Sequence, residues 1–158
     1  MINPKKILVF TACYNEKENI GKLIFKIKEN LPESEILIID DNSPDQTKMV
    51  INNLKDSISK LYLIVREEKL GLDTAHKLAY DFAINNNYDY LITMDADLSH
   101  DPKELTNFVK NLEKNPFVIG SRYIVGGKCE MKGTRLMMSK IGNLVIKFFS
   151  KINCNEFT

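Results

Sequence analysis

Short apolar runs alternate with helical stripes along this chain, and no other feature of the sequence restricts its fold so strongly. Ile7 to Phe10 is an apolar run, and Ile20, Leu23, Ile24, Ile27 and Leu31 then recur at helical spacing. Ile36 to Ile39 is a second run, closed by Asp40, Asp41 and Asn42. Ser43, Pro44 and Gln46 read as N-cap, first-turn proline and capping-box partner of a helix that starts near Pro44. Leu61 to Val65 predicts a third strand, and Ala75, Leu78, Ala79, Phe82 and Ala83 mark the helix after it. Tyr90 to Met94 predicts a fourth strand, Asp101 and Pro102 open a capped helix carrying Leu105, Phe108, Val109 and Leu112, and Phe117 to Ile119 predicts a fifth strand. Strands and helices in this order predict an α/β fold, a mostly parallel sheet with helices on both faces. A chain of 158 residues without repeat or linker is one domain with a core of ordinary size.

Charge and cysteine usage narrow the function. A formal net charge of +1 excludes a whole-chain polybasic or polyacidic role, so no nucleic acid partner is expected and electrostatics must act through local patches. Cys13, Cys129 and Cys154 are odd in number and far apart, which fits neither a disulfide framework nor a zinc site; a reducing cytoplasm suits them. The apolar run after Lys5 and Lys6 is too short for a signal peptide, and no uncharged apolar stretch is long enough to span a bilayer.

Polar residues collect where the predicted strands end. Tyr14, Asn15 and Glu16 follow the first strand, Asp40 and Asp41 the second, and Asp95 and Asp97 the fourth, in the string MDADLSHDP. Parallel strands place these ends on one edge, where α/β sheets bind ligands. Residues two apart in extended chain face one side, so Asp95 and Asp97 are expected to present neighbouring carboxylates. The resulting crevice is expected to be strongly acidic, and hard oxygen ligands with open positions favour Mg²⁺ or Mn²⁺, whose natural guest is a diphosphate.

The segments TACYNEKENI, LIIDDNSPDQT, REEKLGLDTAHKLAY, MDADLSHDPKEL and IGSRYIVGG, in this order and spacing, resemble glycosyltransferase family 2, most closely its dolichyl-phosphate (polyprenyl-phosphate) mannosyltransferase branch. The resemblance runs from about Lys6 to the last residue and implies a GT-A type nucleotide-diphospho-sugar transferase fold. It implies a nucleotide-sugar donor, GDP-mannose in that branch, and a dolichyl or polyprenyl phosphate acceptor. By position, Ala12, Tyr14 and Glu16 would line the nucleotide pocket, with Ile39 and Asp41 beside the base and ribose. Asp95 and Ala96 would follow the ribose and diphosphate, Asp97 would be the main metal ligand with Asp95 beside it, and Ser99 would add a metal-facing side chain. Arg122 would face the donor diphosphate or the acceptor phosphate, and Arg135 is the second candidate for the acceptor phosphate. Ala12 stands where the family usually has Pro, and Asn42 and Gln46 stand for glycines; Asn enters the left-handed region more readily than most residues. The chain stops at CNEFT, where relatives continue, so residues 1–158 are expected to be a single catalytic domain truncated at its C-terminal end.

The chemistry of the acceptor fits these residues. A phosphate monoester has a second pKa near ~6 and already carries an anionic oxygen, so it needs no general base. It needs cations: a metal on the leaving diphosphate and arginines on the incoming phosphate, jobs that suit Asp97, Arg122 and Arg135. Met137, Ile141, Leu144, Val145, Phe148, Phe149 and Ile152 form a helical apolar stripe among Lys140, Lys147 and Lys151. Such a helix can lie on the cytoplasmic face of an anionic membrane, or it can pack on a core with a solvated basic side. His76 and His100 read as surface or helix-start residues, Gly71 as either the opening of a helix or a phosphate contact, and Cys13 as a packing residue. A UDP-sugar donor, a receiver-like signalling domain built on ILIIDDN, and a non-catalytic nucleotide- or lipid-binding subunit are the competing readings.

Overall fold

The computed structural model describes residues 5–124, 132–150 and 156. These fall into two compact units divided between Lys114 and Asn115. The first contains β1 (Ile7–Cys13), α1 (Ile20–Asn30), β2 (Glu35–Asp40), α2 (Thr47–Lys55), β3 (Leu61–Val65), α3 (Leu72–Asn85), β4 (Tyr90–Thr93), a single 3-10 turn (Pro102–Glu104) and α4 (Leu105–Leu112). All strand pairs are parallel, in the order β3-β2-β1-β4.

The order follows from chain geometry. Right-handed crossovers through α1 and α2 carry the chain outward from β1 to β3, and the return to β4 on the far side of β1 reverses direction. Helices of opposite travel cover opposite faces, and the two cores record this. Ile7, Val9, Ile36 and Ile38 pack with Ile20, Leu23, Ile24 and Ile27 of α1, Ile51 of α2 and Leu105 of α4. The alternate residues Leu8, Phe10, Leu37 and Ile39 pack under Ala75, Ala79 and Ala83 of α3. Those alanines, one per helical turn, let α3 lie close to the sheet. Each fully buried Leu, Ile or Phe contributes roughly 1.5–3 kcal/mol by removal from water, and β1 and β2, covered on both faces, supply most of them.

Two sequence expectations are corrected here. Phe117 to Ile119 is not a strand; the run is three residues long behind Pro116, Phe117 is 76% exposed, and the sheet has four strands among the described residues. Helix α2 begins at Thr47 rather than near Pro44, because Gln46 takes a left-handed conformation (φ 71°) that ends the preceding turn. Asn42 is also left-handed (φ 56°), as its place in the sequence predicted. In the second unit, α5 (Gly133–Ser150) is the predicted apolar helix, and Lys151 and Ile152 lie outside the described residues.

Candidate active site

Between β1 and β4 the strand order reverses, and the crevice at such a switch point is where open α/β sheets bind ligands. The loops at this edge are held by side chains from one another. Asn15, Glu16 and Lys17 of the β1–α1 loop donate their backbone N–H groups to Ser43 Oγ (2.9 Å), Thr47 Oγ1 (3.0 Å) and Asp45 Oδ2 (3.0 Å). Ser43 is therefore an anchor for the neighbouring loop rather than a helix N-cap. Asp45 accepts the first N–H of α2, from Thr47, at 3.0 Å. The anchored loop carries Tyr14, exposed, with the Lys69 ammonium 4.3 Å from its ring centre, and Glu16, whose carboxylate accepts from Asn19 Nδ2 at 2.9 Å.

The acidic pair after β2 is divided by the alternation of the strand. Asp40 turns to the α1/α2 side, fully buried, where it accepts from the Ser43 backbone N–H and hydroxyl and lies 3.5 Å from the Cys13 thiol. Burial and the Asp40 charge push that thiol well up, so Cys13 is an inert packing residue. Asp41 lies on the other side, also buried, in an ion pair with Arg66. Neither carboxylate is an open phosphoacceptor of the receiver type. The expected crowd of carboxylates is thus reduced: Asp40 is structural and Asp41 is matched by a cation.

Asp95 and Asp97 remain. Beyond β4, Met94 and Ala96 are buried and Thr93, Asp95 and Asp97 exposed, but Ala96 and Asp97 lie in a turn rather than in the extended chain that the sequence predicted. Asp97 Oδ1 accepts from the Ser99 N–H at 2.9 Å across Leu98, which is left-handed (φ 65°). The Ser99 N–H and hydroxyl hold the Asp97 carboxyl below its usual value, so it is an anion at neutral pH. Ser99 therefore braces Asp97. Asp101 accepts from Lys103 N–H at 3.1 Å and caps the 3-10 turn, the structural role read from the sequence. Among the described residues no three His, Cys, Asp or Glu side chains gather closely enough to encage a metal. Two exposed carboxylates suit the way Mg²⁺ is commonly held, by one or two carboxylates with phosphate oxygens and water completing the shell.

A cleft of about 170 Å³ opens beside Asp95, lined also by Phe10, Ala12, Leu72, His76, Thr93, Met94 and His100. Ala12 reaches it, whereas the side chains of Ile39 and Ala96 are in the core and can meet a ligand only through their backbone. Both histidines, expected from the sequence at the surface or at a helix start, line this cleft. His76 packs edge-on against Phe10 at 5.3 Å between ring centres, and His100 touches Asp95. Gly71, with φ 90°, is the residue that opens α3.

The second unit holds the two candidate arginines. Arg122 pairs with Glu156 through Nε (2.8 Å), and its backbone N–H donates to the same carboxylate at 2.9 Å. Arg135 belongs to α5, but its side chain lies outside the described residues. On α5, Met137, Met138, Ile141, Leu144, Phe148 and Phe149 are all more than half exposed. No helix among the described residues is long and apolar enough to cross a membrane.

Sequence reasoning assigned no role to Arg66 and read His100 only as a surface or helix-start residue. Arg66 is one of only three arginines in the chain and stands directly after the third strand, level with the acidic end of the second. That coincidence was the available signal. His100 sits five residues beyond Asp95, a separation that brings two side chains together only if the segment between them turns back.

Residues 8–156 match the family model for glycosyl transferase family 2. The sequence is 31% identical to a polyprenol monophosphomannose synthase of Mycolicibacterium smegmatis over 98% of this chain and 59% of that protein. It is 30% identical to an undecaprenyl-phosphate mannosyltransferase of Micrococcus luteus over 97% of this chain and 63% of that protein. The chain thus spans about three-fifths of the length of these relatives. Among solved structures, a mannosyltransferase from Pyrobaculum calidifontis in complex with GDP-Man and Mn²⁺ is similar with a TM-score of 0.60, at 24% identity, over 73% of this chain and 34% of that one. Glucosyl-3-phosphoglycerate synthase from Mycobacterium tuberculosis in complex with UDP gives 0.59, at 16% identity, over 93% and 51%. These two likenesses establish the fold as that of the GT-A glycosyltransferases.

Proposed function

Since the chain belongs to glycosyl transferase family 2, we propose that it is the catalytic part of an inverting, metal-dependent transferase that moves mannose from GDP-mannose to a polyprenyl phosphate. The observation that carries this reading is the pair Asp95 and Asp97, both exposed just beyond β4 at the switch-point edge while Asp40 and Asp41 are both engaged. The relatives from Mycolicibacterium and Micrococcus, named for polyprenol and undecaprenyl phosphates, support the acceptor class. The Mn²⁺ and GDP-Man complex of the Pyrobaculum protein supports the donor class and the metal.

In this reading Asp97, held as an anion by Ser99, and Asp95 beside it hold the ion. Bound there, Mg²⁺ or Mn²⁺ supplies charge neutralisation to the departing diphosphate. Tyr14, Glu16 and Asp41 serve the nucleotide with the Ala12 backbone, and Arg122 and Arg135 hold the acceptor phosphate against repulsion from the donor. An acceptor phosphate oxygen attacks the anomeric carbon in line as the bond from that carbon to the donor phosphate oxygen breaks. The electron pair leaves with GDP, and a β-linked sugar phosphate forms with no proton to remove. Residues 1–158 act as one catalytic domain, and α5 lies on the cytoplasmic face of a membrane with its exposed apolar residues in the headgroup region and Lys140 and Lys147 near anionic lipid.

The test is transfer from labelled GDP- and UDP-sugars to a short polyprenyl phosphate, with Mg²⁺, with Mn²⁺ and with chelator. Mannose transfer from GDP-mannose that chelator abolishes is expected. Transfer from a UDP-sugar alone overturns the donor, and full activity in chelator overturns the metal. For the membrane placement, flotation with anionic vesicles is expected to weaken as salt rises; absence of binding at every salt concentration overturns it.

A further inference from the structure

The Met94–Asp95 peptide is gripped at both of its polar ends by side chains. Its carbonyl, Met94 O, accepts from the Thr11 hydroxyl at 2.5 Å, and its N–H, on Asp95, donates to His100 Nδ1 at 3.1 Å. Thr11 is buried in β1, so one jaw of this clamp is part of the sheet. The other closes a five-residue span, within which Leu98 is left-handed and Asp97 accepts from Ser99.

The same imidazole reaches the end of the Asp95 side chain. His100 Nε2 lies 3.7 Å from Asp95 Oδ2, in a side chain that is 60% exposed. A ring nitrogen that accepts a hydrogen bond carries no proton, so neutral His100 bears its hydrogen on Nε2 and turns that N–H toward the carboxylate. The separation is longer than a hydrogen bond and works as a dipole aimed at Oδ2. An exposed aspartate would otherwise spread over several rotamers.

We infer that His100, with Thr11, is a positioning residue of the donor site: the clamp on the Met94–Asp95 peptide orients Asp95 toward a metal-bound nucleoside diphosphate. This rests on the reading of Asp95 and Asp97 given above. A partner that orients a metal-ligating group typically changes metal affinity about 10–100-fold when removed.

The test compares His100→Asn, whose side-chain oxygen can accept where Nδ1 does, with His100→Gln and His100→Ala, which remove that acceptor. Mn²⁺ binding in the presence of GDP is read by electron paramagnetic resonance on the full chain, with thermal unfolding alongside, and the imidazole tautomer is read from ring ¹⁵N shifts. His100→Gln and His100→Ala are expected to bind about 10-fold or more weakly, His100→Asn to recover most of that loss, and the wild-type ring to be the Nε2–H tautomer. Should the Ala variant fail to fold, the Asn and Gln pair decides. If Asp97→Ala loses Mn²⁺ binding while His100→Gln keeps wild-type affinity, or if the ring is the Nδ1–H tautomer, the positioning role is overturned and the donor site stands. If Asp97→Ala binds Mn²⁺ and GDP as the wild type does, the donor-site reading falls and this inference with it.

Discussion

The guanidinium of Arg66 closes on a single oxygen of Asp41, with Nε and one terminal nitrogen both directed at Oδ1 and both side chains less than a tenth exposed. The remaining donors of Arg66 reach Thr74 Oγ1 at 2.5 Å and Gly71 O at 3.0 Å. One side chain thereby ties the ends of β2 and β3 to the first turn of α3.

Arg66→Ala is expected to cost about 3–5 kcal/mol, because it leaves the Asp41 charge buried and unmatched. Asp41→Asn, which keeps an acceptor for Arg66, should cost less. Urea unfolding followed by circular dichroism measures both, and a loss below about 1 kcal/mol in Arg66→Ala would show that water already reaches this pair.

Asp97→Ala is expected to remove metal-dependent transfer while leaving stability near that of the wild type, since the residue is exposed. Asp101→Ala, which loses the cap on Lys103, should lower stability by about 0.5–2 kcal/mol and retain transfer. Activity and melting measured side by side check the division; equal loss of transfer in both variants contradicts it.

Gln46 pays a backbone penalty of roughly 1–2 kcal/mol for its left-handed conformation. Gln46→Gly relieves it but gives the unfolded chain more freedom, so the variant is expected to be neutral or more stable by up to about 1 kcal/mol. A clear destabilisation would mean that the contact of Lys17 Nζ with Gln46 Oε1, at 3.3 Å, matters more than the backbone.

At the opposite edge of the sheet, buried Glu35 accepts from Tyr88 at 2.6 Å, Tyr62 at 2.9 Å and Lys60 at 2.9 Å. Burial alone would raise its pKa, but these donors outweigh it and hold the carboxyl below its usual value. Its stabilisation is therefore present above the unfolded value near ~4.3 and is lost as pH falls through the lower folded value. Burial, and then the bond to Glu35, push the Tyr88 phenol up, so that contribution is present below about pH 10 and is lost as pH rises beyond it. Tyr88→Phe is expected to cost about 1.5–3 kcal/mol and to move acid unfolding to higher pH. Chemical denaturation across the pH range measures this, and an unchanged acid limb would remove Tyr88 from the account.

The sheet was legible because period two and period 3.6 leave different marks in runs such as Ile36–Ile39 and Ile20–Leu31. So were the cap at Asp101 and the left-handed Asn42, both consequences of local backbone geometry. What escaped was pairing across sequence. Ser43 looked like a local helix cap, but its oxygen serves an N–H group 28 residues away, and the hydroxyl of Thr47 serves another 31 residues away. Asp41 looked free because its partner stands 25 residues later. Phe117 to Ile119 had the composition of a strand, but the run is only three residues long and follows Pro116.

The place of β1 between β2 and β4 bears on how the protein is made. β1 is made before the three other described strands yet lies between two of them, and its second edge waits for Tyr90–Thr93 to emerge. Over the same interval Leu8 and Phe10 lack their cover from α3. A nascent chain halted between Asp40 and Leu72 would therefore show an apolar strand edge of the kind that recruits chaperones or invites aggregation. Slow translation through that window would be a hazard that later residues cannot undo, and expression yield should be most sensitive to rare codons there.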